Sequence, residues 1–156
     1  MKKLLVTLLV LSLCLAGCGH EIAAPSYAFD DLSIQIPEEY INLSDESFAE
    51  GLSFVFGKDP IALNGMREEK ATFAAYGLEM DLQSYGDLLI TGNNVRAELK
   101  QTDGIWNFTY EAGGFTYVVT LWETDEAFWT VQAYCPTENY SKVKADMWEI
   151  LSSVTL

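Results

Sequence analysis

The sequence predicts an α+β domain in which a mainly antiparallel sheet is sandwiched by helices. Three observations carry this. Gly113-Gly114 joins two alternating aromatic runs, Ile105 to Ala112 and Phe115 to Glu123, as a two-residue hairpin turn would. A third such run, Ala127 to Cys135, follows immediately. Tyr140, Val143, Met147, Ile150, Leu151 and Val154 then form an apolar stripe at helical spacing.

The chain opens with Lys2 and Lys3 and an apolar run of 13 residues, Leu4 to Ala16. A membrane-spanning helix needs about 20, so the run has the length of a signal-peptide core instead. Together with Leu15-Ala16-Gly17-Cys18, this segment resembles the signal of bacterial lipoproteins and its lipobox. The resemblance implies cleavage between Gly17 and Cys18 and an acyl lipid on the Cys18 sulfur. It also implies acylation of the new amino terminus, since one chain alone anchors only marginally. Residues 1–17 are then signal, 18–28 a tether containing Ala23-Ala24-Pro25-Ser26, and 29–156 a single domain.

Leu32-Ser33-Ile34-Gln35-Ile36 alternates cleanly and Pro37 ends it, which predicts a first strand. Ser44-Asp45-Glu46 is suited to cap a short helix through Gly51. Phe54-Val55-Phe56 and Ile61 to Glu68 read as strands. Asp81 is a candidate N-cap for a helix with Leu82, Tyr85 and Leu89 on one stripe, stopped by Gly92-Asn93. Val95 to Lys100 alternates and reads as a further strand, and Asp103-Gly104 as a turn.

The Gly113-Gly114 turn sets Tyr110 against Tyr117, Phe108 against Val119 and Trp106 against Leu121. These six are expected on one buried face, with Asn107, Thr109, Thr116 and Thr120 on a less apolar one. The third strand has two possible registers. A three-residue loop, Asp125 to Ala127, puts Trp129, Val131 and Ala133 on the aromatic face; a two-residue loop, Asp125-Glu126, puts them on the other. The first concentrates the core and is the expectation.

Nine basic residues face 23 acidic ones, a net charge of −14, and loss of Lys2 and Lys3 makes the mature chain more acidic still. Such a surface disfavours nucleic acid as a partner. Loss of Cys14 and lipidation of Cys18 leave Cys135 alone, so no internal disulfide is available. His20 is the one histidine and sits in the tether, which leaves no material for a catalytic triad or a His-based metal site.

From Phe29 onward the layout resembles the PsbP-like fold. The residues that carry the likeness are Leu32 to Pro37, Trp106-Asn107-Phe108-Thr109-Tyr110, Phe128 to Pro136, and the closing helix to Ser153-Val154. The resemblance implies a mostly non-catalytic protein that docks to a larger assembly.

No G-x-S-x-G elbow, P-loop, H-E-x-x-H or C-x-x-C occurs. Asp30-Asp31, Glu38-Glu39 and Glu68-Glu69 are the carboxylate pairs on which glycan hydrolysis would rest. Trp106, Trp129 and Trp148 read as core; Trp122, beside Thr120, is the candidate for surface contact, and Arg67 for recognising a carboxylate. The expectation is a non-enzymatic lipoprotein without cofactor, on the outer face of the cell membrane, binding an envelope protein partner. The alternatives are a carboxylate-dependent glycan hydrolase and a small-ligand or metal-binding lipoprotein.

Overall fold

The computed structural model describes residues 24–46 and 49–156. Gly17, Cys18 and His20 lie outside them, and with them the expectations about cleavage and lipidation. So do Ser47 and Phe48, within the expected short helix.

Strands β1 (Ser26–Phe29) and β2 (Leu32–Gln35) pair with each other as an antiparallel hairpin. The main sheet contains β3 (Ile41–Asn42), β4 (Phe54–Lys58), β5 (Ile61–Glu69), β6 (Lys100–Thr102), β7 (Ile105–Ala112), β8 (Phe115–Glu123) and β9 (Ala127–Pro136). Its order is β3-β4-β5-β9-β8-β7-β6, antiparallel throughout. Helices α1 (Lys70–Ala75) and α2 (Leu82–Gly92) follow β5, and α3 (Thr137–Ser152) closes the chain. The α+β class expected from the sequence is the one observed.

The sheet is covered on both faces. On the first, Met147, Ile150 and Leu151 of α3 bury against Trp129, Val131, Phe54, Phe56 and Leu63. The β1–β2 hairpin closes that core, with Phe29 stacked on Phe54 at 4.4 Å and Tyr27 edge-on to Phe56 at 4.9 Å. Ser33 and Thr155 exchange backbone hydrogen bonds of 2.8 and 2.9 Å, which ties the hairpin to the chain end. On the second face Tyr85 of α2 packs with Phe108, Val119, Leu121 and Phe128. Asp81 caps α2 by accepting the Ser84 N–H at 2.8 Å. Gly86 lets α2 sit low on the sheet: a Cβ there would meet side-chain methyls of Leu121 and Leu99 at 2.7 and 2.8 Å.

The β7–β8 register is the one read from the Gly113-Gly114 turn. Phe108, Val119 and Leu121 are buried, whereas Trp106, Tyr110 and Tyr117 are only partly so. The opposite face is buried too: Asn107, Thr116 and Thr120 lie beneath the surface.

Three expectations need correction. β9 takes the other register, with Trp122 opposite Trp129 and Thr120 opposite Val131. Trp129, Val131 and Ala133 therefore face α3; with both faces buried, concentrating apolar residues on one of them is not what selects register. Val95 to Leu99 forms no strand, and only Lys100–Thr102 pairs with β7; Val95, Ala97 and Leu99 pack on the second core all the same. The Ser44 hydroxyl accepts the Val55 N–H at 3.0 Å and ties the loop to β4, while the expected short helix falls on Ser47 and Phe48, outside the described residues. Among the described residues the first strand begins at Ser26, inside the stretch read as tether.

Candidate functional site

The site follows from what α2 leaves bare. A helix of 11 residues is only about 16 Å long. It covers the Phe128 end of the second face and stops short of the other end. There, one cross-strand row runs Tyr110, Tyr117, Tyr134, Ala62, Gly57, Ile41 from β7 to β3. Residues directly opposite one another share a face, so this row is continuous.

Its aromatic half is a stack. Tyr110 and Tyr117 are parallel within 5° at 4.7 Å, and Tyr117 and Tyr134 stack at 5.1 Å. The spacing is that of neighbouring strands, so the rings stand side by side across the sheet. Phe115 meets Tyr134 edge-on at 6.1 Å. Burial raises the Tyr110 and Tyr134 hydroxyl pKa values above the usual range, with Tyr117 adding to both. Both therefore stay neutral. Beyond Tyr134 the side chains shrink to Ala62 and Gly57. This leaves a shallow groove of about 470 Å³, with Tyr134 and Phe115 on one side and Ile41 on the other. Ile41 is 67 % exposed and Phe115 38 %, large apolar groups presented to solvent at one place. The Lys58–Glu39 ion pair, 2.8 Å, borders the groove.

The residues singled out from sequence lie elsewhere. Arg67 and Trp122 both flank Trp129 in a row on the first face. The Arg67 Nε and Nη2 donate to Asp31 at 3.2 and 3.4 Å, and Nη1 donates to Glu69. Asp31 also accepts the Trp129 indole N–H at 2.7 Å and the Thr124 hydroxyl at 2.8 Å. The Arg67 guanidinium, with these neutral donors, holds the Asp31 carboxyl well below the usual range against the opposing effect of burial. Trp122 donates its indole N–H to Thr120 Oγ1 at 3.1 Å. Arg67 thus recognises carboxylates of its own chain, and the polar edge of Trp122 is satisfied within the fold.

One or both members of each carboxylate pair are likewise engaged. Glu68 accepts the Tyr85 hydroxyl at 2.5 Å, Glu69 pairs with Arg67 and Glu39 with Lys58. Among the described residues no three His, Cys, Asp or Glu side chains come together to hold a metal ion, and no helix is long and apolar enough to cross a membrane. Cys135 is buried, which pushes its thiol pKa up.

Sheet order, closing helix and hairpin define a PsbP-like α+β fold. The solved structures agree. Over 92 % of this chain and 99 % of its own, cyanobacterial PsbP (CyanoP) of Synechocystis superposes with a TM-score of 0.59 at 15 % identity. A Bacteroides thetaiotaomicron protein superposes over 85 % of this chain and 48 % of its own, with a TM-score of 0.54 at 12 % identity. No family model and no curated protein matches the chain.

Proposed function

We propose that this chain is a non-enzymatic lipoprotein of the cell envelope, anchored through Cys18 on the outer face of the membrane, and that it docks a protein partner through the bare aromatic end of its sheet. The observation that carries the reading is the exposure of Ile41 and Phe115 beside the tyrosine stack.

The tether supports a partner close to the membrane. Ser26 is eight residues beyond Cys18, a reach of at most about 29 Å. Ala24 flanks the Asp59-Pro60 turn, and the same turn borders the Ile41–Phe115 groove. A lipid on Cys18 therefore keeps the groove near the membrane surface, within range of integral or anchored proteins. The acidic surface, −14 overall, disfavours anionic lipid and nucleic acid as alternative occupants.

The test is an Ile41→Glu, Phe115→Glu double variant expressed in its native membrane. It folds and fractionates with the membrane like the parent but loses the partner that co-purifies with the parent. Retention of the same partner by the variant refutes the reading.

A further inference from the structure

Val55, Asn64, Gln132, Val119 and Phe108 form the next cross-strand row on the second face. Val55, Val119 and Phe108 are buried apolar residues, so packing alone calls for apolar side chains between them. Two carboxamides occupy those places instead, directly opposite each other. Asn64 is only 9 % exposed, yet its amide has no protein hydrogen-bond partner among the described residues. No sealed side-chain N or O among the described residues lacks a partner, so the unpartnered Asn64 amide opens onto an adjoining space.

Both carboxamides line a cavity of about 230 Å³ between the sheet and α2. Its walls include Leu89, Met66, Phe108 and Tyr110, and no charged side chain lines it. That lining selects a neutral ligand: the overall −14 charge repels anions, and a buried cation would find no counter-charge. The volume is below that of drug-sized sites, roughly 300–1,000 Å³, so the ligand is small. Each carboxamide sets a donor beside an acceptor, and two side by side form the complement of another amide.

We infer that this cavity binds a small neutral molecule bearing a secondary amide. Its carbonyl accepts from the NH2 of one carboxamide, and its N–H donates to the oxygen of the other. Its apolar substituent lies against Leu89, Met66 and Phe108. An acetamido sugar and an N-acylated amino acid amide both supply this group. The site is separate from the Ile41–Phe115 groove and stands whether or not that groove docks a partner.

Side-chain amide resonances of Asn64 and Gln132 in the full-length chain, held in detergent micelles, report directly on occupancy. N-acetylglucosamine and N-acetylglycinamide are the probes, with glucose as the amide-free control. One or both acetamido probes shift these resonances saturably, glucose does not, and Asn64→Leu or Gln132→Met weakens binding about tenfold or more. The less buried Gln132→Met keeps the test available should Asn64→Leu not fold. A response to one probe alone assigns the source of the amide. No response to either, an equal response to glucose, or unchanged binding in the folded variants overturns the inference.

Discussion

The Trp129 indole N–H donates to Asp31 at 2.7 Å across 98 positions of sequence. This bond joins the turn of the N-terminal hairpin to the central strand of the sheet. It requires Trp129 to sit on the face that β1 and β2 cover, which is the register β9 adopts.

Replacing Asp31 by Ala strands a fully buried indole N–H and releases the Arg67 guanidinium. A loss of about 2 kcal/mol is expected, measured as a lowered denaturant midpoint at unchanged slope. The Asp31 carboxyl titrates lower in the folded chain than in the unfolded one. Its contribution is therefore complete above the ordinary carboxylate range, near pH 4, and fades as pH falls toward the folded value. Asp31→Asn should flatten that part of the acid limb; an unchanged limb contradicts the role.

The hairpin was legible because a two-residue glycine turn fixes every pair above it. The β9 register was not, because its loop permits two registers and the deciding contact comes from Asp31 in a turn 98 residues away. Strand β1 was hidden for a similar reason: its rings gain partners only once Phe54 and Phe56 are in place. The tyrosine stack was visible as residues but not as a site, because only the short reach of α2 leaves Tyr110, Tyr117 and Tyr134 partly uncovered. Ala62 and Gly57, small residues in otherwise bulky strands, were the available signal for a groove.

Phe108→Ala should cost about 3–5 kcal/mol, since the ring is buried between Val119 and Tyr110 in the second core. Thermal or chemical unfolding measures it. A loss below about 1 kcal/mol would place Phe108 outside a packed site.

Gly65 lies opposite Phe54, and a Cβ there would clash with the Phe54 ring edge at Cε1 and Cζ. Phe54 has no free space to move into, being fully buried and stacked on Phe29. Gly65→Ala is expected to destabilise by about 1–3 kcal/mol, and Phe54→Leu in the same chain to recover part of it. Strictly additive losses in the double-variant cycle would contradict the contact.

Cys18→Ser should abolish acyl labelling and release the chain from the membrane fraction or block its processing. Persistent labelling of the variant refutes lipidation at Cys18.

Site-specific photo-crosslinking in the native membrane tests the docking end most directly. A crosslinker at Phe115, 38 % exposed beside the groove, should give one discrete protein adduct. Ile41→Glu should abolish it, and a crosslinker at Asp125, in the β8–β9 loop at the other end of the sheet, should not reproduce it. Equal adducts from both positions, or an adduct at Phe115 that survives Ile41→Glu, would contradict a partner seated on the aromatic end.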